Sequence, residues 1–370
     1  MYVPRVTGTE QKPLITANQV TLVRLALIPL PCWLLYQGTN GQYAALIIAT
    51  LLGCTDFVDG YLARKYGGTV LGGLMDPIAD KVFIAATFLP AVDLKWVPSW
   101  MVALLFVREF FVTAARTSYE RRDLQLKSSY LARYKTWVQM CGVGVLMLLS
   151  ASTPAFMDWF LGALALLPVV GYLVLRFIAR RRWKGAGWFA ISFASLLLIH
   201  RSFGGHILAI ALMYFIVGVT YASGLGYLFG VGKLKGRGRV VGGEIVRLTT
   251  SIALPCVAVG AQSRVDSPSW AIIALVAFEL AHGGLDNLLA HHRAEDGAVR
   301  WGARLFSEIG LLVAAWLTPS TTLSRSFAFA ALFVSAVGLV IAFVQKRRWY
   351  LDEKPRAVPA TAATKPAAVL

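Results

Sequence analysis

From about residue 19 to residue 345 the chain is a succession of apolar runs of roughly 16–24 residues, and a helix needs about 20 such residues to cross the hydrocarbon core of a bilayer. About twelve can be read: 19–37, 42–63, 77–94, 98–117, 135–151, 159–178, 186–200, 206–230, 244–261, 270–291, 302–318 and 326–345. A transmembrane barrel would instead alternate apolar and polar residues over about 10-residue strands, and nothing in the sequence does. The expected fold class is therefore all-α, a polytopic transmembrane helical bundle. Composition agrees. With 57% hydrophobic residues, 15% charged residues and a mean hydropathy of +0.63, the chain is too apolar for an ordinary soluble domain.

The net charge of +17 does not point to nucleic acid, because the basic residues are distributed by membrane side rather than gathered in one polar domain. With a cytoplasmic N-terminus, that side receives Arg64 and Lys65, the 116–135 loop, the segment from Arg176 to Lys184, Lys233 to Arg247, Arg293 to Arg304 and the 346–370 tail. Lys95, Arg201, Arg264 and Arg325 fall on the other side. This is the positive-inside bias of an integral, multi-pass membrane protein, and its basic segments also suit anionic lipid headgroups. The polar N-terminal stretch offers no small-residue cleavage site, so no removed leader is expected. Cys32, Cys54, Cys141 and Cys256 lie in apolar helices without CxxC spacing, so neither disulfides nor zinc are expected. Residues 351–370, rich in Ala and Pro, read as a disordered tail.

Chemistry concentrates in residues 55–81, TDFVDGYLARKYGGTVLGGLMDPIADK. Asp56 and Asp59 are three apart at the end of the second apolar run; Asp76 and Asp80 are four apart at the start of the third, so each pair shares a helical face. The glycine-rich stretch between them folds the two helices antiparallel, and four carboxylates converge. Charges packed this closely suppress one another's ionisation unless a cation compensates, and oxygen-only ligands favour a hard divalent ion such as magnesium or manganese. Gly60 removes a side chain where a substrate would come close, and Arg64 one turn later offers a fork for phosphate.

These residues resemble the signature of the CDP-alcohol phosphotransferase family, Asp-x-x-Asp-Gly-x-x-Ala-Arg, a spacer, then Gly-x-x-x-Asp-x-x-x-Asp, here Asp56, Asp59, Gly60, Ala63, Arg64, Gly72, Asp76 and Asp80. The spacer is one residue shorter than the commonest family spacing, a difference that Gly67, Gly68, Gly72 and Gly73 can absorb. The resemblance implies a phosphatidyltransferase acting on CDP-diacylglycerol, with Gly60, Ala63, Arg64 and Gly72 against that substrate. It implies that Asp56, Asp59 and Asp76, with Asp80, hold the metal, Mg2+ or Mn2+ and two ions, while Asp80 acts as the catalytic base.

Downstream, Arg108-Glu109, Arg116 and Lys135-Thr136 with Gln139 are similar to the phosphatidylglycerophosphate synthase branch, as is MDPIADK at 75–81. Arg108 and Arg116 are eight apart and so near one helical face; with Lys135 they suit a small phosphorylated alcohol such as glycerol 3-phosphate. Inositol phosphate and phosphatidylglycerol compete as acceptors. Upstream, Asn18, Thr21 and Arg24 are expected either to border the site or to anchor the first helix.

Residues 1–235 are expected to form the catalytic membrane domain, with an unassigned pair of helices near 159–200. Residues 240–350 read as a degenerate second copy, a parallel duplication in which RLTTSIALP (247–255) aligns with RLALIPLP (24–31) and Asp286-Asn287 with Asp59-Gly60. Gly283, Phe306 and Gly310 would stand where Asp56, Asp76 and Asp80 stand. Glu279, His282, Asp286, His291 and His292 are weighed as polar packing against a metal site. A transporter built from two parallel bundles is the rival function, and a homodimer is among the assemblies open to the chain.

Overall fold

The computed structural model describes residues 16–66, 70–120, 130–178, 185–234, 242–264, 270–291 and 298–351. The N-terminal stretch, residues 67–69 of the glycine-rich spacer, most of the 116–135 loop, His292 and the tail beyond 351 lie outside the described residues. The described residues are almost wholly helical, with no strand among them. In order the helices are α1 (Ala17–Leu27), α2 (Pro29–Leu34), α3 (Gly38–Tyr66), α4 (Val70–Asp93), α5 (Ser99–Glu120) and α6 (Tyr130–Ala151). Then come α7 (Pro154–Phe177), α8 (Ala186–Leu234), α9 (Gly242–Arg264), α10 (Trp270–His291), α11 (Ala298–Leu317) and α12 (Thr321–Leu351).

Six spans among the described residues are long and apolar enough to cross a membrane: 17–34, 38–66, 154–177, 186–225, 244–263 and 321–345. Helices α4, α5, α6, α10 and α11 have 20–24 residues, about 30–36 Å at 1.5 Å per residue, and so are equally long. Large apolar side chains such as Leu167, Phe177, Trp188, Phe203 and Phe333 are exposed, as lipid contact requires.

Several expected boundaries shift: α4 begins at Val70 rather than at 77, so Asp76, Pro77 and Asp80 lie inside it rather than at its start, and two further differences concern whole spans. The first run is divided: Thr16 opens α1 by accepting a hydrogen bond from the Gln19 backbone while Gln19 Oε1 accepts one from the Thr16 backbone, but Pro29 and Pro31 restart the helix as α2. Conversely, 186–200 and 206–230 merge into one helical stretch, interrupted only at Gly204 (φ 80°, ψ 174°), a conformation that side-chain-bearing residues rarely adopt. The pair near 159–200 packs on itself, Met157 and Leu161 of α7 burying against Leu208 of α8.

One apolar core runs through both halves, from Leu35, Leu89 and Phe106 to Leu254, Leu275 and Leu312. Helix α3 packs on α1, α2 and α6; α4 packs on α1 and α10; α5 packs on α8, α9 and α10. Gln262 Nε2 of α9 donates to the Leu89 carbonyl of α4 at 2.8 Å, a polar tie across the seam. In the second half, Arg247 of α9 lies 3.5 Å from Asp286 of α10, and Arg304 of α11 donates to Glu279 of α10 at 2.9 Å. Ser335 of α12 donates to the same Glu279 at 2.6 Å. Glu279 and Asp286 thus serve interhelical polar packing. Among the described residues no three His, Cys, Asp or Glu side chains form a metal-holding group.

Candidate active site

The end of α3 and the start of α4 lie against α1, so α1 supplies the groups that meet the aspartates. Thr21 donates its hydroxyl to Asp76 Oδ1 at 2.9 Å and lies 3.2 Å from Asp59 Oδ2. Arg24, only 2% exposed, donates to Asp56 Oδ1 at 2.9 Å and lies 3.4 Å from Asp80 Oδ1 and 3.9 Å from Asp59 Oδ2. One guanidinium therefore faces carboxylates from both helices. Asp59 is buried, whereas the Asp56 and Asp80 side chains are 44% and 33% exposed.

The structure brings the four sequence-predicted aspartates together around Arg24 and Thr21. They are turned onto these two side chains rather than closed into a cage. Their chemistry still fits a hard divalent ion. The donors are all oxygen, four negative charges meet one guanidinium, and Asp80 Oδ1 is buried with no hydrogen bond. Gly72 is buried at the start of α4; Gly60 and Ala63 are half-buried, and Arg64 is exposed. A Cβ on Gly60 would lie 3.5 Å from the Arg64 guanidinium, an ordinary contact, so packing alone does not demand glycine there.

Arg108 and Lys135 converge on Glu109, which the sequence offers as a partner for Arg108 alone. Glu109 accepts from Arg108 at 3.3 Å, from Lys135, and from Gln139 at 3.4 Å. Arg108 also donates to Ser223 of α8 at 2.8 Å, and Gln139 to Thr220 at 3.1 Å. Arg116, expected in the same pocket, is instead exposed on α5. Lys81, directly after Asp80, donates to Thr113 and lies within electrostatic range of Arg108, Arg116, Lys135 and Glu109. Its signal was present in MDPIADK, where a lysine inside an apolar helix is costly unless used.

Two cavities meet at Asp80. One, about 540 Å3, is an apolar groove between α3 and α6 lined by Leu46, Ala49, Phe57, Met140 and Met147, with Asp56 and Asp80 at its polar end. Phe57 and Trp137 pack together beside it, their planes tilted by 45° and ring centroids 5.2 Å apart. The other, about 20 Å3, is enclosed by Asp80, Lys81, Glu109, Lys135, Thr136 and Gln139. That volume holds about one water, so a larger acceptor must part these side chains.

The family description CDP-alcohol phosphatidyltransferase matches residues 14–170, which include every aspartate of the cluster and both cavities' first-half walls. The chain is 32% identical over 145 residues to a Bacillus subtilis (strain 168) protein named CDP-diacylglycerol--glycerol-3-phosphate 3-phosphatidyltransferase, a match spanning 35% of this chain and 75% of that one. It is 33% identical over 166 residues to a Pseudomonas fluorescens protein of the same name, covering 43% of this chain and 83% of the relative. A Mycobacterium tuberculosis (strain CDC 1551 / Oshkosh) protein named probable phosphatidylglycerophosphate synthase is 36% identical over 137 residues, covering 36% of this chain and 65% of the relative. No solved structure matches. With four clustered aspartates on two antiparallel helices, an adjoining apolar groove and relatives matched over three quarters of their length, the chain belongs to the CDP-alcohol phosphatidyltransferase family.

Proposed function

We propose that this membrane protein transfers the phosphatidyl group of CDP-diacylglycerol to glycerol 3-phosphate, giving phosphatidylglycerophosphate and CMP. The observation that carries the reading is Asp80, which borders both the apolar groove beside Asp56 and the cation-lined cavity of Lys81 and Lys135. A lipid substrate entering by the groove and a phosphorylated alcohol entering by the cavity meet at that carboxylate.

In this reading the Asp80 carboxylate takes the proton of the acceptor hydroxyl. The acceptor oxygen forms a bond to the phosphorus attached to diacylglycerol, the bridging P–O bond of the pyrophosphate breaks, and CMP leaves with its electron pair. Lys135, Lys81 and Arg108 hold the acceptor phosphate, and Glu109 fixes their positions. Arg64 and the open face of Gly60 meet the pyrophosphate. Asp56, Asp59, Asp76 and Asp80 would hold divalent ions, Mg2+ or Mn2+ and two in number, whose chemistry there would be to neutralise charge on the pyrophosphate and on departing CMP.

The aspartate end is assigned to the cytoplasm. The last turn of α3 carries Arg64 and Lys65 and that of α7 carries Arg176, while Lys95 follows the far end of α4 and Arg201 meets Asp158 near the opposite end of α7. The second half is assigned as a degenerate copy. The Arg247–Asp286 approach of 3.5 Å repeats the Arg24–Asp59 approach of 3.9 Å at the aligned positions.

The test is CMP release by detergent-solubilised protein given CDP-diacylglycerol and, separately, glycerol 3-phosphate, inositol phosphate, serine and phosphatidylglycerol. Release with glycerol 3-phosphate that depends on added divalent ion supports the reading. Release only with another acceptor reassigns the cationic cavity, and substrate flux in proteoliposomes without CMP would move the chain to the transporter class.

A further inference from the structure

A further cavity takes no part in this chemistry. It occupies the seam between the two halves and measures about 1210 Å3, above the roughly 300–1,000 Å3 of ordinary small-molecule sites. Leu25, Ile28 and Trp33 line it from α1 and α2, and Ile273, Ala277 and Phe278 from α10. Along α4 the lining recurs at Ile78, Val82 and Ala86 and reaches Asp93. Fifteen residues at 1.5 Å make this slot about 23 Å long, against about 30 Å of hydrocarbon in a bilayer. A long apolar slot of this kind suits acyl chains better than a compact polar ligand.

Its charged residues gather at one end. Asp93 and Lys95 line the mouth farthest from the aspartate cluster, with Gln262 and Ser263 beside them. Asp93 is half-buried and Lys95 exposed, and neither side chain has an ion-pair partner among the described residues. Lys95 is also the only non-glycine residue with positive φ among the described residues, at 60°, fixed by bonds from its own N–H to the Val92 carbonyl and from Trp96 N–H to the Ala91 carbonyl. Glycine or asparagine usually ends a helix this way. Here the conformation instead sets an ammonium at the slot's mouth beside the Asp93 carboxylate.

The geometry points to a second lipid site, in which a bilayer phospholipid with a zwitterionic, amine-bearing headgroup lies in the seam, its phosphate at Lys95 and its ammonium at Asp93. It enters from the leaflet opposite the aspartate cluster. Helices α1 and α4, which wall the slot, also carry Arg24, Asp76 and Asp80, so the lipid braces the same helices that hold the candidate active site. The inference does not depend on which acceptor the enzyme uses.

Native mass spectrometry of the detergent-purified full chain, titrated with phosphatidylethanolamine, phosphatidylcholine and phosphatidylglycerol, tests it. Phosphatidylethanolamine is expected to give a single tight adduct. Lys95→Gln and Asp93→Asn should each weaken that adduct about tenfold, the worth of one charge-assisted hydrogen bond, and Ala277→Trp should remove it by filling the slot. Phosphatidylglycerol binding as well as phosphatidylethanolamine, or adducts unchanged in the rim variants, would overturn the proposal. So would displacement of the adduct by CDP-diacylglycerol, which would place it in the substrate groove. Should Ala277→Trp fail to fold, the two rim variants decide.

Discussion

Replacing Arg24 by methionine removes the only cation that contacts the aspartates from α1, and the structure sets the size of the effect. Breaking a fully buried ion pair from one side costs about 3–5 kcal/mol, whereas pairs with solvent access contribute about 1 kcal/mol or less. Of the carboxylates facing Arg24, only Asp59 is buried; Asp56 and Asp80 keep 44% and 33% of their side-chain exposure. The lower end of the buried range therefore applies, about 3–4 kcal/mol in total. At about 2–4 °C per kcal/mol for a large domain, Arg24→Met should unfold about 6–16 °C below wild type in EDTA. Added Mg2+ changes the comparison. An ion at 100 times its dissociation constant contributes about 2.7 kcal/mol, and in the variant it also supplies the missing positive charge. The gap should shrink by more than half when thermal unfolding is repeated in Mg2+. Coincident unfolding of variant and wild type in EDTA, or a gap that Mg2+ leaves unchanged, would refute the assignment of Arg24 as counter-cation and of the aspartates as the metal site.

Asp80→Asn should lower kcat for CMP release by about 10²–10⁴-fold, the range for a lost general base, as initial rates at saturating divalent ion and substrate will show. Lys135→Met should raise the KM for glycerol 3-phosphate about tenfold or more through one lost charge-assisted bond and leave the KM for CDP-diacylglycerol unchanged, which initial-rate kinetics with each substrate varied will show. Asp286→Asn, in the second half, should leave kcat within about twofold of wild type, since an isolated degenerate pair supplies no step of the chemistry; a loss comparable to that of Asp80→Asn would make the second half catalytic.

The aspartate cluster was legible because its spacings of three and four encode one helical face each, and because four charges beside apolar runs have few purposes. Arg24 was only half legible. Sixth in an apolar run, it reads equally as an anchor, and only the packing of α1 on α3 and α4 turns it inward across 32 residues of sequence. The cations at Arg108 and Lys135 could be read from their depth and charge. Their organisation could not, because Glu109 joins α5 to α6 and Arg108 finds Ser223 115 residues away. Arg116 shows the limit of face counting: it lies near the face of Arg108, yet it is exposed while its neighbours Ala115 and Thr117 are buried. The merging of two expected spans into α8 was hidden for a different reason. Hydropathy sees the polar interval at 201–206, whereas the backbone needs only one residue, Gly204, to change direction.

The Arg247–Asp286 approach in the second half bears on how such a site is inherited. On the duplication reading, that half has lost three of its four aspartates and kept the one that meets an α9 arginine. Selection released the positions that serve only the reaction and held the position that also joins two helices. By the same criterion Asp59, the most buried of the four, has an architectural duty alongside its chemical one. Asp56, Asp76 and Asp80 are then the residues whose survival marks a copy as an enzyme, so a lone Arg–Asp pair in a chain of this kind is a fossil of folding rather than a sign of activity.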